Sequence, residues 1–172
     1  MATDLAGIMS TLLGGNTLSA LSKQSGVKAD DLTKILSSAL PSLLQGANKQ
    51  SNDAKTAAGF ASALEQHAKT DTGSLASFFK NVDTTDGSKI VQHLLGTSTN
   101  KKTDEIAKSS GIDPKTVATV MAFAAPLMMS LIGKQATAKK EEKKAETNTT
   151  ASIAQSLLSN IDVGDILKGL LK

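Results

Sequence analysis

Apolar residues along this chain recur at three- and four-residue intervals and almost never alternate, a rhythm that predicts helices and leaves no strand of useful length. Residues 4–13 set Leu5, Ile8, Met9, Leu12 and Leu13 on one face before Gly14 and Gly15. A short helix with Leu18 and Leu21 follows, with Thr17 as its expected cap and a tight turn at Gly26. The long run after it turns Leu32, Ile35, Leu36, Ala39, Leu40, Leu43 and Leu44 inward. Pro41 lies inside that run and predicts a kink or restart, because proline lacks the N–H and crowds the preceding turn. Residues 46–55 form an expected polar break. Residues 56–69 carry Ala57, Phe60, Ala61, Leu64 and Ala68 on a face small enough for close helix approach, and Leu75, Phe78, Phe79 and Val82 mark a short helix that could plug a seam.

Much of this pattern then repeats. Residues 18–50 return as residues 103–135 with a shift of 85 positions, which carries Leu21 to Ile106, Gly26 to Gly111, Leu32 to Val117, Ile35 to Val120 and Pro41 to Pro126. The opening helix returns over residues 86–95 with a shift of 82, pairing Ile8 with Ile90, Leu12 with Leu94 and Gly14 with Gly96. The extra residues of the second copy fall in a polar loop, where insertion costs little. The expected fold is all-α: an internally duplicated helical bundle of short and long helices. Residues 1–135 form the domain, with copies over about 4–50 and 86–135 and a helical insert at 56–82. A charged linker at 136–151, whose like charges repel at i,i+4, leads to an amphipathic tail at 152–172.

Composition narrows the core. Apolar residues make up 40% of the 172, with no Trp, Tyr or Cys and four Phe, so Ala, Leu, Ile, Val and Met must supply the packing. The missing cysteine excludes disulfides and thiol chemistry. The formal charge is +3, and all 19 basic side chains are lysines. Without guanidinium forks, a dedicated nucleic-acid or phosphate surface is disfavoured. The N-terminal residues lack the basic flank and apolar core of a secretory signal, so a cytoplasmic location is expected. No apolar run reaches the roughly 18 residues of a membrane span. The longest candidate, residues 117–132, holds threonine, serine and proline and is expected to be a buried core helix.

Chemistry-bearing patterns are sparse. No paired carboxylates, nucleophile triad, phosphate loop or metal cluster can be read, and no cofactor is implied. The only histidines, His67 and His93, would need to meet and borrow a carboxylate to hold a metal. The acidic stretch 83–88 lacks the spaced ligands of a calcium loop; Asp86 capping a helix explains it better. Residues 106–121 and 21–36 have helix-turn-helix spacing, but the second helix offers Lys115, Thr116 and Thr119 in one copy and an acidic Asp30–Asp31 start in the other. The tail presents an apolar set, Ile153, Leu157, Ile161, Ile166, Leu167, Leu170 and Leu171, that could dock on its own domain, on a second copy, or on another protein or a membrane surface. The expected function is a non-enzymatic structural or protein-interaction module with self-association or a partner engaged through that tail. A helix-turn-helix-like nucleic-acid binder is the alternative.

In order along the chain stand LSKQSGVKADDLTKILSSALPSLLQG, GFASALEQH, TGSLASFF, DGSKIVQHLLG and EIAKSSGIDPKTVATVMAFAAPLMMSLIGKQ. As an ordered set over residues 4–135 they resemble the YidB-like family of bacterial proteins of uncharacterised function. The resemblance implies a bacterial origin and an all-helical fold with an internal duplication. It brings no catalytic residues, and TGS and FFKNVD stand where looser Gly-Leu runs are common in the family. Residues beyond Gln135 lie outside it.

Overall fold

The helical rhythm is realised as eight α-helices with no strand among the described residues. The computed structural model describes residues 5–142, with side chains from 6 to 138. The order is α1 (Leu5–Leu12), α2 (Gly15–Ser25), α3 (Ala29–Asn52), α4 (Ala57–Ala68), α5 (Leu75–Asn81), α6 (Thr84–Leu95), α7 (Thr99–Ser110) and α8 (Pro114–Glu142), with a 3-10 turn at Gly96–Ser98.

Local chemistry accounts for most of the boundaries. Gly26 and Gly111 end α2 and α7 at φ 74° and 73°, the left-handed region that costs glycine nothing, and their N–H groups donate back to Ser22 and Ala107. Asp113 caps α8: its Oδ1 accepts from the Thr116 N–H at 2.9 Å, ahead of a proline at the first helical position. The cap of α6 is Asp83, which accepts from the N–H groups of Thr85 and Asp86, so the helix starts three residues earlier than a cap at Asp86 implies. Thr17 and Thr103 also differ from expectation. Both lie inside their helices, buried, with hydroxyls donated to the carbonyls of Thr11 and Thr99.

The two long helices overrun their predicted limits. α3 and α8 continue through Pro41 and Pro126 without restarting, and α3 runs on over the expected break to Asn52. Gly46 explains that extension. A Cβ there would stand 2.2 Å from the Leu94 carbonyl oxygen, so the glycine is the contact at which α3 crosses α6. α8 likewise passes the expected domain end at Gln135, carries a fully buried Ala136 and extends to Glu142. The like-charge i,i+4 pairs of the expected linker each reach past Glu142, so within the helix only the packing of Ala136 bears on its course.

α8 is the axis of the bundle. Residues 120–130 are buried without interruption, in contact with α4 and α6 above all and with α1, α2, α3 and α7 besides. By length and composition Pro114–Ala138 could cross a membrane, but 78% of its most apolar window is covered by the rest of the molecule. The bundle itself supplies its apolar surroundings. Pro126 cannot donate to the Ala122 carbonyl, and the neighbouring helix presses against that freed oxygen: a Cβ on Gly87 would stand 1.9 Å from it. Gly133 meets the Leu64 carbonyl of α4 in the same way, at 2.1 Å. Ser130 is fully buried, yet its hydroxyl donates to the Pro126 carbonyl at 2.9 Å, and no buried side-chain polar atom among the described residues lacks a partner. Phe78 and Phe79 of α5 meet edge to face at 5.4 Å, and Phe79 meets Phe123 of α8 at 6.3 Å. α5 also packs along α2, so it does bridge the first helices and the axis.

Gly87→Ala should therefore destabilise the fold by about 1–3 kcal/mol, the usual cost of forcing an extra group into a packed contact. Gly59→Ala, where an added Cβ meets nothing within 4 Å, should be neutral or stabilising by up to about 1 kcal/mol. Urea unfolding of the two variants checks this, and equal midpoints would contradict the glycine-contact account.

Candidate binding site

α4 and α6 lie side by side on α8 and leave a half-open groove of about 380 Å³ between them. Its floor is Phe60 of α4, Leu94 of α6 and Met129 of α8, each less than a tenth exposed. Ala63 and Ile90, half-buried, continue the apolar wall. Around it stand Lys55, His67, Lys89 and His93, and no carboxylate lines it. Neither lysine is in an ion pair with another described side chain.

The end of α3 fixes one corner. Gln50 Nε2 donates to the His93 carbonyl at 2.9 Å, and the Thr56 hydroxyl donates to the Gln50 carbonyl at 2.8 Å. These bonds tie the start of α4 to the end of α6, so the two helices run antiparallel, with Lys55 and His93 at one end of the groove. His67 stands toward the other end. Burial pushes its pKa down from 6.5, and the nearby Asp86 carboxylate partly opposes that shift. His67 also borders an adjoining hollow lined by Asp71, Asp83 and Asp86, so it separates a basic groove from an acidic one.

The sequence singled out the histidines as a pair and the structure does bring both to one groove. Within the groove they share lysines and an amide, the carboxylates near His67 lie on its other side, and among the described residues no group of three or more His, Cys, Asp or Glu is placed to hold a metal. Lys55, Gln50 and Met129 carried no signal of their own, and Phe60 read only as a packing residue. The one readable hint was on α6, where Lys89 and His93 form a basic stripe one turn apart beside the apolar Ile90 and Leu94. The tail set from Ile153 to Leu171 lies outside the described residues.

The helix-turn-helix spacing is realised as a helix pair, α7 and α8, joined at Gly111. Val117, Val120 and Met121 point into the core, Lys115 is the one basic residue in the first turn of α8, and Asp113 already occupies the N-terminus. Hydrogen bonds from the Thr116 hydroxyl and backbone N–H hold the Asp113 carboxyl below its ordinary pKa, which keeps a negative charge where phosphate would sit.

Residues 8–135 match the family model for bacterial proteins of unknown function (DUF937), in agreement with the resemblance carried by the ordered segments. No curated protein and no solved structure matches the chain.

The His67 ring should titrate below 6.5 in the folded protein. Asp86→Asn should lower it further, because the carboxylate favours the charged ring. A depressed histidine pKa contributes stability that is full above 6.5 and lost as pH falls toward the folded value. Imidazole NMR titration measures both; a midpoint at or above 6.5, or a rise in Asp86→Asn, would contradict this placement.

Proposed function

Since the chain belongs to the DUF937 family of bacterial proteins of unknown function, with residues 8–135 matched, we propose that it is a non-enzymatic helical module that binds an apolar, acid-flanked segment of a protein partner. The observation that carries this is the groove between α4 and α6: a hollow of about 380 Å³ with an apolar floor, ringed by two histidines and by two lysines that are in no ion pair among the described residues, with no acid among its walls. Such a site rewards an apolar body for leaving water and an acidic flank for meeting the rim, while the rim favours opposite charge and rejects like charge. Nothing in the groove resembles a nucleophile with its base, or an acid–base pair of carboxylates.

We further infer that α1–α3 and α6–α8 are diverged copies of one unit, over about residues 4–50 and 86–135, with α4 and α5 as an insert within 56–82. Supporting this are the shared order of short helix, short helix, left-handed glycine and long proline-containing helix, and the near-equal φ angles of Gly26 and Gly111. On this reading the groove occurs once because α4 occurs once: an inserted helix meets a repeated one. Contact with a membrane surface through the tail would be a peripheral addition to this role.

An anionic naphthalene dye such as 8-anilinonaphthalene-1-sulfonate has the right chemistry to probe the groove. NMR titration of the full chain should move the amides of Gly59, Ala63, Ile90 and His93 first. Replacing both rim lysines, Lys55→Glu with Lys89→Glu, should weaken binding about tenfold or more, since each charged contact contributes on the order of 1 kcal/mol. Shifts spread over the whole bundle, or binding indifferent to the lysines, would count against the groove.

A further inference from the structure

The groove has an apolar floor, a basic rim and a neighbouring helix from which the rest of the chain departs, and these together point to an occupant. We propose that residues 152–172 of the same chain fill it, with Ile153, Leu157 and Ile161 against Phe60, Leu94 and Met129 and the acidic pair Asp162 and Asp165 at the basic rim. This rests on the reading of the groove as a binding site and names what covers it in the free protein.

Three features of the chain carry the assignment. The first is spacing. Ile153, Leu157 and Ile161 recur every four residues, so a helix would hold them on one face, and Asp165 follows at the same spacing. The acidic pair interrupts the apolar set of the tail between Ile161 and Ile166, and Lys55 and His93 border the apolar floor of the groove. The second is charge. Asp162 and Asp165 are the only acidic residues after Glu146 and stand between the apolar Ile161 and Ile166, with the lysines of the tail, Lys168 and Lys172, further on. The third is reach. α8 contributes Met129 to the floor and is described as far as Glu142, about 20 Å further along at 1.5 Å per residue. Residues 143–151 can span roughly 30 Å when extended, which is enough to return to the groove from Glu142. Tethering makes the encounter intramolecular, so even a weak contact is favoured over a free segment at micromolar concentration. The groove would then be self-covered, and an outside partner would have to displace the tail.

The adjoining hollow lined by Asp71, Asp83 and Asp86 disfavours the acidic pair of such a segment.

Cross-linking tests this directly, because the protein has no cysteine of its own. Gly59 faces the groove with open space at its Cβ, and Gly7 on α1 has the same open space elsewhere. In the full chain at low micromolar concentration, Gly59→Cys with Ile161→Cys should form an intramolecular disulfide at least about tenfold faster than Gly7→Cys with Ile161→Cys. In parallel, Leu157→Asp with Ile161→Asp in the full chain should tighten dye binding about tenfold if the tail covers the groove nine-tenths of the time. Equal cross-linking rates in the two pairs, or a disulfide that joins two chains, overturns the proposal. If dye then still binds at Gly59, Ala63 and Ile90 with unchanged affinity in the tail variant, the groove stands and only its occupant falls. If dye fails to bind there in either protein, both readings fall together.

Discussion

A helix with no face left for solvent sets the terms for everything around it. Over residues 120–130 α8 is buried on every side, so neighbours must be found for its whole circumference. Small residues keep those neighbours close: Ala122, Ala124 and Ala125 in the axis itself, Gly87 from α6, and Gly133 where α8 meets α4. Pro126 would be a defect in an isolated helix. Here its missing donor leaves the Ala122 carbonyl as the point of contact for Gly87, and Ser130 turns its hydroxyl back onto the Pro126 carbonyl. The proline is held in a continuous helix because the surrounding helices over-determine its position.

The groove follows from that arrangement. Two helices that each press on one axis through a glycine contact can approach the axis more closely than they approach each other. The space between them is floored by the axis, through Met129, and walled by Phe60 and Leu94. α3 closes one corner because Gly46 brings it against Leu94 and Gln50 bonds to the end of α6. A rigid apolar floor with mobile lysine tips at its edge combines pre-organised burial with adaptable charge, the combination expected of a surface that receives a segment rather than one that reacts with it.

The all-α class, the inward residues of α3 and α8 and the turns at Gly26 and Gly111 were all readable, because each depends on local periodicity or a local φ requirement. What was hidden depended on partners distant in sequence. Gly46 reads as a helix breaker until Leu94 is brought against it, and Thr17 reads as a cap until it is buried with its hydroxyl on Thr11. Residues 136–142 open the stretch expected to be a charged linker, while the burial of Ala136 and the contact at Gly133 favour continuing the helix. The groove was the least legible feature. Lys55 precedes α4, Lys89 lies on α6 and Met129 on α8, and nothing in the separation of these residues announces that they meet.

Native-state hydrogen exchange probes the central claim without altering a residue. If α8 is the axis on which the other helices depend, the amides of residues 117–132 should exchange only through global unfolding. Those of α5, α7 and the ends of α4 and α6 should open at lower free energy. Exchange of residues 120–130 through a local opening, while α4 and α6 stay protected, would contradict the account.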